Sequence, residues 1–137
     1  MDFLGKKPAG AGASTATTTQ RGQLAETQAL AYLQARGLKL VERNYRTPGR
    51  GGGEIDLILR DRDGSLVFVE VRSRNTDRFG GAAASIVGAK RQRIVLAARH
   101  YLMKLGAPPP CRFDVVLVDT CGGGAGVEWL RAAFDAM

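Results

Sequence analysis

The stretch G-E-I-D-L-I-L-R-D-R-D-G-S-L-V-F-V-E-V-R-S-R, residues 53–74, decides the fold of this 137-residue chain. It contains two apolar runs rich in β-branched residues, 55–59 and 66–71, and a polar turn between them that ends at Gly64. Two such runs joined by a short glycine-containing turn predict a β-hairpin. The remaining elements are predicted from their position before or after this hairpin.

The register of the hairpin places charged side chains on one face. A three-residue loop with Gly64 in the left-handed conformation sets Asp61 opposite Ser65, and counting back then sets Asp56 opposite Glu70. Because side chains two residues apart point to the same face, the face carries Glu54, Asp56, Glu70 and Arg72. Like charges directly opposite each other destabilise a hairpin. We therefore expect a cation to meet these carboxylates.

Composition restricts the classes of protein that the chain can belong to. Apolar residues make up 45% of it, but no apolar run is long enough to span a membrane. The N-terminus lacks the apolar stretch of a secretory signal, so we expect a cytoplasmic protein. Cys111 and Cys121 are too few for a disulfide framework or a zinc site and are expected to stay reduced.

The order of elements predicts one α/β domain, residues 21–137, behind a disordered tail, residues 1–20, that lacks large apolar groups. A helix at 21–36 capped by Gly37, an edge strand at 38–46 and the hairpin come first. A second helix at 86–105, with Ser85 as its N-cap, leads to a buried strand at 113–118. Residues 127–134 form a short strand or helix. The order α-β-β-β-α-β with a terminal element predicts a mixed sheet flanked by helices.

The carboxylates offer hard oxygen ligands. Asp56 and Glu70 come from the two strands of the hairpin, and Glu26 lies on the edge of the apolar stripe of the first helix. Such a set suits Mg²⁺ or Mn²⁺ rather than zinc. A magnesium ion polarises a phosphoryl oxygen and lowers the pKa of a bound water, as phosphodiester hydrolysis requires. His100 is the only histidine, which argues against a multi-histidine metal site.

The net charge of +7 is concentrated near the hairpin and the second helix. A basic domain with clustered charge is typical of a nucleic-acid binder, although the charge can also serve solubility alone. The residues expected to contact phosphates are Lys90, Arg91, Arg93 and Arg74.

The motifs G-E-I-D-L-I, F-V-E-V-R-S-R, K-R-Q-R-I, A-R-H-Y-L and R-F-D-V-V together resemble the YraN-like family of uncharacterised proteins. R-G-Q-L-A-E before them and W-L-R-A-A-F after them fit as well, so the resemblance covers roughly residues 21–135. That family is similar to the restriction-endonuclease-like superfamily, which includes Holliday junction resolvases. The resemblance implies Asp56, Glu70 and the backbone carbonyl of Val71 as metal ligands, with Glu26 as an accessory acid.

One residue departs from the superfamily pattern D…(D/E)-x-K. Arg72 occupies the lysine position, and arginine stays charged at any relevant pH, so it cannot act as the general base. Arg72 can clamp the scissile phosphate, in which case the substrate phosphate, a second water or Lys90 takes the role of base. Alternatively, activity is lost, or Arg72 only neutralises Asp56 and Glu70 in a cross-strand salt bridge.

These patterns predict a magnesium-dependent endonuclease acting on DNA, possibly on branched or structured DNA. The first alternative is a nucleic-acid-binding module that has lost cutting. The second is an interaction protein whose basic face binds an acidic protein. An enzyme that cuts both strands of a junction is expected to be a symmetric homodimer.

Overall fold

A computed structural model describes residues 18–49, 52–73, 88–119 and 126–134 of the chain. The predicted tail therefore lies almost wholly outside the described residues, as do the predicted N-cap Ser85 and the basic residue Arg74. The elements, in chain order, are α1 (Thr18–Ala35), β1 (Lys39–Arg46), β2 (Glu54–Arg60), β3 (Leu66–Ser73), α2 (Gly88–Met103), β4 (Cys111–Val118) and β5 (Val127–Phe134).

The five strands form one mixed sheet in the order β1-β2-β3-β4-β5. Only β3 and β4 pair in parallel, and the other three neighbouring pairs are antiparallel. A parallel pair needs a crossover connection, which α2 provides. The predicted mixed α/β sheet flanked by helices is confirmed, with β1 on the edge as expected.

The sheet separates two apolar cores, one under each helix. Alternate residues of the central strands point to opposite faces. On the α1 face, Ala25, Ala29 and Leu33 lie in a cluster with Leu57 and Val69. On the α2 face, residues of α2 lie in a second cluster with the strand side chains that point to this face, which include Ile58, Phe68 and Phe113. Both helices are thus fixed against the central hairpin.

The hairpin adopts the predicted register. Gly64 has a φ of 89°, the Asp61 N–H donates to the Ser65 carbonyl over 2.9 Å, and Leu57 lies opposite Val69. Counting one position further from the turn sets Asp56 against Glu70. The geometry that the glycine and the alternation predicted is therefore present.

The ends of several elements differ from the prediction. The first helix begins at Thr18 and ends at Ala35, ahead of Gly37, whose φ of 99° confirms it as the residue that ends the helix. The second helix ends at Met103, two residues early, because Lys104 and Leu105 donate to carbonyls three residues back rather than four, and Gly106 follows with a φ of 71°. The terminal element is a strand. No helix of the described ranges is long and apolar enough to cross a membrane.

Candidate active site

Asp56, Glu70 and Lys90 converge on the α2 face of the sheet. The Nζ atom of Lys90, in the first turn of α2, lies 2.9 Å from Oε2 of Glu70 in the middle of β3. The Glu70 side chain is 4% exposed, whereas that of Lys90 is 46% exposed. A buried carboxylate therefore meets a cation whose stem reaches it from the solvent side.

Asp56 is held where the β2–β3 ladder ends. Leu57 and Val69 are the last paired residues at this end of the hairpin. One residue further, Oδ2 of Asp56 accepts a hydrogen bond of 2.8 Å from the backbone N–H of Val71. A side-chain oxygen thus satisfies a strand N–H, and this bond fixes the Asp56 carboxylate beside Glu70.

The two neighbouring carboxyl groups perturb each other's ionisation. Burial, followed by the charge of Asp56, raises the pKa of Glu70 from 4.5 to about 7, although Lys90 opposes the rise. Burial also raises the pKa of Asp56, against the hydrogen bond from Val71. Each carboxyl group is thus harder to ionise than in water, and Lys90 compensates this only in part.

The close approach of α2 to β2 depends on Gly53. A Cβ atom at this position would overlap the carbonyl oxygen of Arg93 and lie 3.1 Å from Cβ of Ala97. The backbone at the start of β2 therefore lies directly against the backbone of α2. This contact brings Lys90, almost one turn before Arg93, within reach of the hairpin.

A cavity of about 120 Å³ opens beside the carboxylates. Because a water molecule occupies about 30 Å³ in the liquid, the cavity has room for a cation with a few waters. It is lined by Gly52, Glu54, Asp56, Glu70, Lys90, Arg93 and Ile94. Three of the four residues that the register placed on one face of the hairpin thus line one cavity.

Glu26 belongs to α1, on the opposite face of the sheet from α2, and lies close enough to Asp56 for their charges to interact. Its side chain is 14% exposed, and its Oε1 atom, 3.7 Å from Nη2 of Arg43, makes no hydrogen bond within the described part of the chain. Burial and the negative charge of Asp56 raise the pKa of the Glu26 carboxyl, while Arg43 and Asn44 lower it. The helix edge therefore brings a third carboxylate within electrostatic range of Asp56.

The basic residues of the predicted site lie in different places. Arg93 lines the cavity, but the guanidinium of Arg91 lies over the Phe134 ring at 5.4 Å, on the edge strand β5. Arg72 is half-buried beside Leu117 of β4. No ion pair joins Arg72 to Asp56 or Glu70 in the ranges that the structure covers. The cation that meets Glu70 is therefore Lys90, one of the alternatives that the sequence left open for the base.

The donors fit a magnesium ion that keeps part of its water shell. Across residues 18–49, 52–73, 88–119 and 126–134, no three His, Cys, Asp or Glu side chains form a complete metal cage. Magnesium is usually held by one or two carboxylates together with waters and substrate phosphates. Asp56 and Glu70 would supply the two carboxylates, and the cavity lining, which has no thiolate or imidazole, does not suit zinc.

Sequence reasoning did not identify Gly53 or the contact from Lys90 to Glu70. The signal for Gly53 was its place as the last glycine of a glycine run directly before Glu54. The contact from Lys90 depends on how α2 crosses the sheet, and periodicity within α2 predicts only which of its faces is apolar.

Residues 25–118 match the family described as "Uncharacterised protein family UPF0102". The chain is 66% identical over 138 residues to a UPF0102 protein of Paracidovorax citrulli (strain AAC00-1), with 99% of each chain covered. It is 63% identical over 136 residues to a UPF0102 protein of Acidovorax sp. (strain JS42), again with 99% of each covered. Its similarity to the crystal structure of SSO0001 has a TM-score of 0.42 at 13% identity, covering 89% of this chain and 56% of the length of that chain.

Proposed function

The chain belongs to the family UPF0102, and we propose that it is a metal-dependent endonuclease that hydrolyses phosphodiester bonds in DNA. The observation that carries this proposal is the convergence of Asp56, Glu70 and Lys90 on one cavity. A buried Glu70 and a half-buried Asp56 beside Lys90 leave negative charge that a divalent cation would neutralise.

The three residues divide the work of phosphodiester hydrolysis. Bound at Asp56 and Glu70, Mg²⁺ or Mn²⁺ would polarise a phosphoryl oxygen and lower the pKa of a coordinated water. Asp56 would hold the ion in one place, because the hydrogen bond from the Val71 N–H restricts rotation of its carboxylate. In the reaction, a water oxygen would bond to phosphorus and lose a proton to solvent. The bond from phosphorus to a deoxyribose oxygen would break, and that oxygen would leave as a hydroxyl group by taking up a proton from water.

Lys90 would take the role that the lysine has in the D…(D/E)-x-K pattern. In that pattern the lysine lies two residues after the second acid and so shares its face of the strand. Here Arg72 stands at that place, while Lys90 reaches Glu70 on the same face from α2. Lys90 would donate a hydrogen bond to a phosphate oxygen and stabilise charge that develops in the transition state. Arg72, which stays charged, would hold the backbone of the substrate.

A cleavage panel tests the proposal. Single-stranded, duplex, flap and four-way DNA are incubated with Mg²⁺ or Mn²⁺ and with wild type, Asp56→Asn or Glu70→Gln. Both variants should reduce cleavage to background, because each removes a metal ligand. Lys90→Ala should reduce cleavage by about 10²–10³-fold, the usual loss when one donor to developing negative charge is removed. The matched controls are Asp63→Asn in the exposed hairpin turn and Glu42→Gln on the exposed side of β1, which should both cut as wild type does.

Two outcomes would overturn the enzymatic proposal. Cleavage that persists undiminished in Asp56→Asn would be contamination. Salt-dependent DNA binding without Asp56-dependent cleavage of any substrate would select the second candidate, a nucleic-acid-binding module that has lost cutting. The observation that favours this second candidate is Arg72 at the usual lysine position.

A further inference from the structure

The two side chains of the ion pair between Lys90 and Glu70 differ strongly in their exposure to solvent. Glu70 is almost fully buried in the centre of the sheet, whereas nearly half of the Lys90 side chain is exposed. A buried carboxylate without a partner is strongly destabilising, so Glu70 needs a cation whenever it is ionised. In the protein alone, Lys90 is that cation.

Lys90 and a divalent ion compete for the same carboxylate. The ammonium lies 2.9 Å from Oε2 of Glu70, a hydrogen-bonding distance that occupies this oxygen. A magnesium ion binds carboxylate oxygens at about 2.0–2.1 Å, so an ion at Glu70 would lie close to the ammonium and repel it. A divalent ion at Glu70 would therefore weaken the contact between Glu70 and Lys90.

We propose that Lys90 is an exchangeable counter-ion, which neutralises Glu70 in the free protein and moves to a phosphate of the substrate when a divalent ion binds. This inference rests on the proposed function. Metal and nucleic acid then bind cooperatively. The metal replaces Lys90 as the partner of Glu70, and a phosphate of the nucleic acid replaces Glu70 as the partner of Lys90. By linkage, the metal strengthens DNA binding by the same factor by which DNA strengthens metal binding.

The side chain and its surroundings suit this exchange. Lysine is a point charge on a flexible four-carbon stem, so it can change partners without a fixed bidentate geometry. Lys90 also shares its cavity with Arg93, a second cation on the same helix. Among the residues that the structure describes, the ion pair to Glu70 comes from Lys90 and not from Arg93. Arg99, exposed further along the same helix, offers a matched control.

The test measures metal affinity rather than activity. Mn²⁺ is titrated by calorimetry into wild type, Lys90→Gln, Lys90→Arg and Arg99→Gln, with and without a short phosphorothioate duplex DNA. Thermal melting at the same metal concentrations checks that each variant is folded. For wild type, the duplex should tighten Mn²⁺ binding by about 5- to 150-fold, the usual range of coupling between sites.

The variants separate the contribution of Lys90 from that of the phosphate. Lys90→Gln should bind Mn²⁺ more tightly than wild type without DNA, because no ammonium competes, and the effect of the duplex should shrink. Lys90→Arg keeps a cation and should stay near wild type, as should Arg99→Gln. Lys90→Gln should also melt at a lower temperature than wild type without metal, and Mn²⁺ should restore more of its stability.

Failure of this inference and failure of the proposed function give different results. If Asp56→Asn abolishes Mn²⁺ binding but Lys90→Gln leaves the affinity without DNA unchanged or weaker, Lys90 does not compete with the metal and the inference is wrong. If wild type binds no Mn²⁺ with or without DNA, the metal site and the inference both fail. If coupling follows Lys90 but no DNA is cut, the exchange stands and the catalytic proposal fails.

Discussion

Glu70 is a carboxyl group that folding makes harder to ionise. Its pKa rises from 4.5 to about 7, so between these pH values the folded protein holds a proton that the unfolded chain releases. The stability from this group is therefore fully present below pH 4.5 and is lost as the pH rises through 7. The shift corresponds to a loss on the order of 1–3 kcal/mol. Part of the stability at acidic pH is thus stored in an acid kept neutral.

Glu70→Gln tests this pH dependence. In the presence of a chelator, urea unfolding of wild type should give a free energy of unfolding that falls from pH 5 to pH 8. The fall should be much smaller in Glu70→Gln, since glutamine does not titrate, and unchanged in Glu42→Gln, whose carboxylate is exposed on β1. An equal slope in wild type and Glu70→Gln would assign the dependence to Asp56 and Glu26, whose pKa values are also raised.

At the scale of elements, the start of β2 and the middle of α2 touch through backbone. Gly53→Ala would push its new methyl group into the carbonyl oxygen of Arg93, which cannot yield without a shift of the helix. We expect a clear drop in melting temperature without metal and a larger rise on addition of Mn²⁺, because Lys90 moves away from Glu70 together with α2. The matched control is Gly22→Ala, where a Cβ meets nothing within 4 Å and should add about 0.5–1 kcal/mol of stability in the helix. If the two variants melt alike, Gly53 does not set the spacing.

The sequence predicted those parts of the fold that depend on neighbours in the chain. Alternation and Gly64 set the hairpin register, and this register alone brought Asp56 and Glu70 together. Local sequence patterns could not predict β5, because the conformation of that strand depends on a residue of another strand. Asp114 accepts hydrogen bonds from Trp129 over 2.8 Å and from the Ala132 backbone over 2.9 Å, where β5 is irregular and Ala132 has a φ of 50°. No local pattern predicts a bulge that a buried aspartate on another strand holds in place.

At the scale of the whole molecule, the cations behind the net charge of +7 do not form one uniform basic surface. On β1, Arg43 lies 3.7 Å from Glu26, and Arg46 lies 3.4 Å from Glu54. Arg91 stacks on Phe134 at the far edge of the sheet. Arg93, by contrast, lines the carboxylate cavity. The position of each cation relative to the cavity, which composition does not reveal, therefore sets how it can serve DNA binding.

This distribution predicts unequal effects for two charge reversals on one helix. Arg93→Glu should weaken DNA binding for all sequences alike and reduce the salt slope by about 1 or more, since a phosphate contact is lost. Arg91→Glu, two residues away with the same charge change, should have a much smaller effect because its side chain is directed to β5. Fluorescence anisotropy across a salt series measures both. Equal losses would extend the DNA surface along α2 to β5, whereas no loss in either would leave the neighbouring strand β1, with Arg43 and Arg46, as the surface that contacts phosphate.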